Sequence, residues 1–358
     1  MMNKRISKLK EELSNKNIDS CLIFKPENRR YISNFTGTTG YVLITEKRNI
    51  FATDFRYTQQ AKEQCSEFEV KELTKDYTIF NLLNELEIEN LGIEEDFVTY
   101  GFVNELKEKS TDINIMTLNS LLTKIRMIKE EEEVKLIKEA ALITDKAFEH
   151  IISYIKPGMK ENKISIELEH FMKKLGAEGP SFNFIVASGK RSSMPHGVAS
   201  DKVIEDGDFV TIDMGCKYKG YCSDMTRTFV MGKASDKQKK IYNTVLKAQI
   251  KALENVKPGI TGFDLDKIAR DVIKKEGYGE YFGHGLGHGV GLEIHELPRL
   301  AEHNSAKIEM EAGMVITDEP GIYIPGFGGV RIEDLAVVTK DGVKILSEST
   351  KELLEINN

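Results

Sequence analysis

Cysteine is sparse in this chain: Cys21, Cys65, Cys216 and Cys222 are scattered through 358 residues, too few for a disulfide framework. Long apolar runs are missing. None approaches the ~20 residues that cross a bilayer, so no transmembrane helix is expected. Basic charge is not concentrated anywhere. Acidic residues outnumber basic ones 57 to 50, a net charge of −7, and without a Lys/Arg stripe there is nothing to neutralise a phosphate backbone, which argues against nucleic-acid binding. The first twelve residues are Lys-rich and helical in pattern, with no apolar core or small-residue cleavage site. No secretory signal is expected, and the chain reads as soluble and cytoplasmic. Histidine is missing from residues 1–122 altogether. What is present suffices for folding: 40% apolar and 30% charged residues suit packed cores rather than disorder, and the length suits about two domains.

Residues 1–122 alternate between two periods. Stretches 20–24, 40–45, 49–53, 68–73, 90–94 and 113–118 read as strands, and 57–65, 77–86 and 103–108 as helices, which together mean an α/β domain. A long helical pattern follows over 125–152. Its charged start, within 123–133, reads as a linker into a second domain covering 134–358, and its charges as a solvated helix face. That second domain repeats itself. Lys156-Pro157-Gly158 recurs 101 residues later as Lys257-Pro258-Gly259, and Ala147, Lys173-Lys174 and Gly176 recur at the same offset as Ala248, Lys274-Lys275 and Gly277. Two similar α+β halves are expected, their sheets forming one layer under the helices, with a site between them.

Each half carries a hairpin pattern with a pair of acids. In the first, a regular hairpin centred between Tyr218 and Lys219 sets Asp213 opposite Asp224, with a bulge near Gly220 as the one-residue alternative. Asp is a poor strand residue and like charges across a pair repel. Either the two share a ligand, or one faces solvent and a hydroxyl caps the other. In the second, a turn centred on Gly326 sets Glu319 opposite Glu333, and Pro320 must bend or end its strand. Four such carboxylates buried together need cations. Arg331 supplies one charge, and divalent metal ions supply the rest.

Three of the seven histidines, His284, His288 and His295, fall within twelve residues, interleaved with glycines that argue against a helix. The alternating glycines suggest closely packed backbone leading into a strand over 290–295. Imidazole beside carboxylates suits Zn, Mn, Co or Fe. His196 lies in a separate Met-Pro-His-Gly loop and taken alone is an exposed loop histidine. Cys216 and Cys222 fit no standard metal-ligand spacing and read as packing residues.

These residues resemble the pita-bread metallopeptidases, a family that includes prolidases, aminopeptidases P and methionine aminopeptidases. The stretch from His284 to Glu296 is similar to the proline-peptidase signature, and residues 1–122, including Thr53-Asp54-Phe55-Arg56-Tyr57, are similar to the creatinase/prolidase-type N-terminal domain, which methionine aminopeptidases usually lack. The resemblance implies an α/β N-terminal domain joined to an α+β pita-bread domain with an internal pseudo-twofold repeat. It implies two divalent ions, Mn, Co or Zn, held by Asp213, Asp224, His288, Glu319 and Glu333, with Asp224 and Glu333 shared between them. It further implies that His196 and His295 contact substrate and transition state and that Arg331 orients a metal-bound carboxylate; Glu319, a carboxylate that would also lie near the water, is the candidate general base.

The activity so implied is hydrolysis of the bond before proline in short peptides, by water activated between two ions, as an Xaa-Pro dipeptidase or Xaa-Pro aminopeptidase. Arg299 either binds the free carboxylate of a dipeptide or is a surface arginine following a turn. The resemblance also implies a homodimer in which one subunit's N-terminal domain closes the other's site. Creatinase-like amidinohydrolase chemistry and a non-enzymatic binding protein on the same fold are the alternatives. Both are disfavoured because all five ligand positions hold ligand residues.

Overall fold

A computed structural model describes residues 2–357, which divide into two compact units, Met1–Arg126 and Met127–Asn358. The first unit is built on a six-stranded sheet in the order Glu69–Glu72, Asn49–Thr53, Tyr41–Thr45, Ser20–Ile23, Asn90–Ile93 and Asn114–Thr117. Tyr41–Thr45 runs antiparallel to both its neighbours and the remaining pairs are parallel. Leu22, Leu43, Ile50 and Leu91 pack on Phe80, Leu83 and Leu106 from the helices Ile79–Asn84 and Tyr100–Lys109. These are the strands and helices that the sequence periodicity predicts, to within a few residues.

One helix of this unit, Pro26–Ser33, has no clear apolar period. Proline in its first turn suits a helix start, and tertiary contacts fix the remainder: buried Arg29 donates to the carbonyls of Gly37 (2.9 Å) and Gly40 (3.0 Å). The long helix expected over 125–152 is interrupted. Leu121–Met127 and Glu131–Tyr154 are separate helices, because Ile128 bridges to Met314 and the Lys129 amide donates to the Gly313 carbonyl (2.9 Å), after which Glu130 and Glu133 form a capping box that starts a new helix.

The repeat in the second unit is structural. The helices Glu161–Lys174 and Gly262–Lys275 begin and end 101 residues apart. The Lys-Pro-Gly turns before them both need glycine, with φ of 89° at Gly158 and 88° at Gly259. The first half's sheet contains Ile185–Ser188, Phe209–Met214 and Met225–Met231, and the second half's contains Gly287–Gly289, Glu296–Leu300, Val315–Asp318 and Asp334–Val338. These are separate ladders rather than one continuous layer. They meet where the Glu333 amide donates to the Thr226 carbonyl (3.1 Å) and where Thr228 Oγ1 donates to the Arg331 carbonyl (2.9 Å) and accepts from its amide (3.2 Å). That seam carries the acids. Among the described residues no helix is long and apolar enough to cross a membrane.

Candidate metal centre

The first hairpin turns at Lys219-Gly220, both with positive φ (47° and 84°), so its register differs from the expected one. Asp213 pairs with Thr226, and Asp224 lies just before the strand Met225–Met231, diagonal to Asp213 and not directly opposite it. The two-residue offset preserves the face, because side chains on a strand alternate with a period of two. The second hairpin has the expected register: Gly321 pairs with Arg331 and Ile324 with Gly328 around Gly326. The same register continues beyond a break at 319–320 and 332–333, with Thr317 opposite Leu335 and Asp318 opposite Asp334. Glu319 and Glu333 occupy the break, where the ladder opens and both acids can turn the same way.

The glycines of the histidine segment serve close approach. A Cβ on Gly287 would lie 2.2 Å from the Thr317 carbonyl oxygen, and one on Gly289 would lie 2.2 Å from that of Leu297. The strand here is Gly287–Gly289, carrying His288 itself. The residues expected as a strand, 290–295, form bends instead, because the pairing slips between His288 and Gly289. His288 Nδ1 lies 3.0 Å from its neighbour's carbonyl at Gly289, which fixes the tautomer and turns the Nε2 lone pair toward Asp224 Oδ2 (3.6 Å) and Glu319 Oε1 (3.4 Å).

One carboxylate oxygen from each of Asp213, Asp224 and Glu333 falls within 4.8 Å of the others. This triad and the group Asp224, His288 and Glu319 overlap at Asp224, so all five expected ligands converge. Thr226 Oγ1 donates to Glu333 (2.7 Å), and Thr317 Oγ1 donates to Glu319 (3.3 Å) and accepts from the His288 amide (3.0 Å). Among the described residues, two buried oxygens of this group, Asp213 Oδ1 and Glu333 Oε1, have no hydrogen-bond partner. Burial, followed by repulsion from the other acids, pushes the Asp224 and Glu333 carboxyls well above the carboxylate range. Burial raises Glu319 to about 8 and lowers His288 to about 4. Orphaned carboxyl oxygens beside a neutral imidazole are the donor set a divalent ion requires, so these residues fit such ions.

Arg331 joins several parts of the site. It donates to Asp213 Oδ2 (2.6 Å), Thr226 Oγ1 (3.0 Å), Tyr323 Oη (2.9 Å) and the Pro195 carbonyl (3.1 Å), beside His196. His295 places its ring 4.4 Å from that of His288, and its pKa is lowered by partial desolvation, with His196 and Arg299 adding repulsion. Arg299 pairs with His288 across the ladder, which puts it on the same sheet face, with an exposed side chain. Cys216 and Cys222 are buried free thiols that do not join this cluster of ligand atoms, and burial raises the pKa of both, that of Cys222 to about 12.

Sequence reasoning missed Thr226, Thr317 and Tyr323. Tyr323 Oη lies 2.8 Å from His284 Nε2, and the other ring nitrogen of His284 lies 2.8 Å from the Gly285 carbonyl, so His284 supports Tyr323 and is no ligand. The signal was available in the register. Tyr323 is diagonal to Arg331 in a hairpin centred on Gly326, and Thr226 faces Asp213 once the first turn is placed at Lys219-Gly220.

Residues 135–340 match the Metallopeptidase family M24, and residues 5–128 match the Creatinase/Prolidase N-terminal domain. This chain belongs to metallopeptidase family M24. A Xaa-Pro dipeptidase of Pyrococcus horikoshii is 46% identical over 99% of both chains. The solved Xaa-Pro dipeptidase from Bacillus anthracis is 49% identical with a TM-score of 0.95, each chain covered to 99%. The X-Pro aminopeptidase from Thermotoga maritima is 39% identical with a TM-score of 0.90, covering 98% of this chain and 99% of its own. The family makes the protein a hydrolase that depends on divalent metal, built from the α/β domain and pita-bread domain described above.

The raised carboxyls give a pH signature. Folded metal-free protein holds protons that the unfolded chain gives up near pH ~4. Its stability therefore falls as pH rises from 5 through about 8, the value for Glu319. Divalent ions displace those protons, whereas His288, already neutral, contributes none. Titration of Mn²⁺ into metal-free protein at pH 7 should release protons, and the release should shrink above pH ~8. Calorimetry in buffers of different ionisation enthalpy reads the number released, and a value of zero at pH 7 would contradict this account.

Proposed function

We propose that this protein is a dinuclear metal-dependent exopeptidase that hydrolyses the bond between an N-terminal residue and proline. The observation that carries the reading is the convergence of Asp213, Asp224, His288, Glu319 and Glu333, with two buried carboxylate oxygens unpartnered. The relatives named as Xaa-Pro peptidases cover almost the whole chain and support the substrate class. Asp213, Asp224 and Glu333 would hold one ion, and His288 and Glu319 the other, with Asp224 and Glu333 shared. When bound, the ions polarise the peptide carbonyl and make water acidic enough to act as a nucleophile near neutral pH.

The chain's own groups manage the remaining steps. Glu319 takes the proton from the attacking water and passes it to the proline nitrogen as the carbon–nitrogen bond breaks. His196 and His295 hydrogen-bond the developing oxyanion or the leaving nitrogen. Arg331 holds Asp213 in place and ties it to the backbone beside His196. The metals are manganese, cobalt or zinc, and the site of action is the cytoplasm. Replacing Asp224, His288 or Glu333 by Ala should abolish turnover and lower metal occupancy. His196→Ala and His295→Ala should each cut turnover by ~10²–10³ with metals retained. Elemental analysis alongside peptide hydrolysis separates the two classes, and near-normal turnover with full metal in any ligand variant would overturn the assignment.

Arg299 is the residue proposed to receive a free carboxylate following the proline, because it lies across the ladder from His288 and is accessible. Arg299→Ala should raise KM for Xaa-Pro dipeptides at least tenfold and leave Xaa-Pro-Xaa peptides within about twofold, a guanidinium–carboxylate pair being a strong, directional contact. Equal effects on both substrates would assign Arg299 to the surface.

The first unit holds no histidine, and it exposes Phe55 (75% exposed) beside the Asp54–Arg56 ion pair. We assign it the role of a lid that limits peptide length, acting on the site of a second copy in a homodimer. Sedimentation equilibrium of the full chain should give twice the 40.5 kDa chain mass, and a monomer that still discriminates against long peptides would refute the arrangement.

A further inference from the structure

His196 sits on an exposed loop, and among the described residues nothing hydrogen-bonds its ring, so its position rests on the backbone that carries it. Both ends of that backbone are tied to one side chain outside the metal centre. Glu161 opens the helix Glu161–Lys174, and its side chain is 0% exposed. Its Oε1 accepts from the Ser188 amide (2.8 Å) and Ser188 Oγ (2.9 Å), at the end of the strand Ile185–Ser188. Its Oε2 accepts from the Ser200 amide (3.1 Å), Ser200 Oγ (2.7 Å) and Arg191 Nη1. Both ends of the 188–200 segment thus converge on one carboxylate.

The span between these ends is held as well. Arg191 Nη2 donates to the Val198 carbonyl (2.8 Å), so the guanidinium reaches from Glu161 to the far side of His196. Within the loop, the Gly197 amide donates to the Met194 carbonyl (3.0 Å) and the Val198 amide to that of His196 (2.8 Å). Ser192 Oγ, which donates to the Gly189 carbonyl, accepts from the Gly329 amide (2.8 Å), and Arg331 takes the Pro195 carbonyl. The chemistry requires an acid at position 161. A carboxylate is acceptor-only with about four lone-pair sites, whereas an amide would turn its NH₂ toward the backbone N–H of Ser188, or toward that of Ser200 and the Arg191 guanidinium, all of which can only donate. A negative charge at a helix N-terminus is also favourable, and its bonds are charge-assisted, which offsets the cost of burying it.

We propose that Glu161 is a positioning residue for His196: it closes the 188–200 loop and thereby sets where the imidazole meets the substrate. The inference rests on the role given to His196 under Proposed function, and the test separates the two. Glu161→Gln should lower kcat for an Xaa-Pro dipeptide about 10- to 100-fold, the effect of misplacing a contact group by about 1 Å, with metal content unchanged. In a His196→Ala background the same change should cost less than about twofold, because a loop that no longer carries the imidazole has nothing left to misplace. An equal penalty in both backgrounds, or none in the wild type, overturns the clamp while leaving the assigned function standing. Full turnover in His196→Ala alone overturns the assignment of His196 and the clamp with it. Should Glu161→Gln fail to fold, Ser200→Ala removes one bond without disturbing the charge. Its smaller fall in kcat must likewise vanish in the His196→Ala background, and a fall that persists there refutes the proposal.

Discussion

Four carboxylates, two buried and two nearly so, lie within reach of one another, and the second unit is organised around that constraint. Two unit charges 4 Å apart repel by about 4 kcal/mol even at an effective dielectric constant of 20. Without cations the group keeps protons: burial first, and repulsion from neighbouring acids after it, raises Asp224, Glu333 and Glu319. Arg331 compensates one charge, at Asp213. The remaining deficit is what makes the site selective for compact, highly charged ligands. A single ammonium or guanidinium offers one positive charge, whereas a divalent ion offers two in a smaller volume. The repeat serves the same end, since each half contributes one hairpin and therefore half of the acids.

Much of this was legible in the sequence, for identifiable reasons. The second hairpin was placed correctly because Gly326 and its glycine-rich surroundings leave a single way to centre the turn, and the pairing of Gly321 with Arg331 follows. The first was misplaced because Lys219 takes a positive φ that its side chain does not advertise. The error left the functional conclusion intact, because it moved the pairing by two residues and two is the period of a strand. The long helix was misread at 128–130 for a different reason. Those residues continue a helical pattern, and a distant partner, Met314 with Gly313, claims their backbone. Contacts of that kind have no local signal. The same holds for Glu161, an unremarkable acid in an amphipathic helix until the fold brings Ser188, Arg191 and Ser200 to it.

The acids at the seam also have counterparts on the opposite face. Glu319, Glu333 and Thr226 point toward the cluster of Asp213, Asp224 and His288, and their chain neighbours Arg227, Asp318 and Asp334 are buried within a second charged group. There Arg227 donates to Asp334 Oδ1 (2.8 Å), to the Ser349 carbonyl (2.8 Å) and to the Glu333 carbonyl, while Lys351 and Gln249 donate to Asp334 Oδ2 (2.7 and 3.0 Å). Arg227 therefore grips the backbone of Glu333, a proposed metal ligand, from behind.

This back-to-back arrangement bears on register. A one-residue slip in a strand exchanges its two faces. Here a slip of the 334–338 strand would carry Asp334 to the metal side and Glu333 to the side of Arg227, so neither acid would be missing and the loss of charge alone would be small. What resists the exchange is geometry specific to each face. Arg227 holds a side-chain oxygen of residue 334 together with the main-chain oxygen of residue 333, and Thr226 holds a side-chain oxygen of residue 333. A slipped strand would satisfy neither set and would leave buried charges unpaired, a loss of roughly 3–5 kcal/mol for each broken pair. The fully buried ion pair of Arg227 and Asp334 adds little net stability once its desolvation is counted. Its effect is to make the correct register the one in which both faces are satisfied, and so to keep Glu333 beside Asp213 and Asp224.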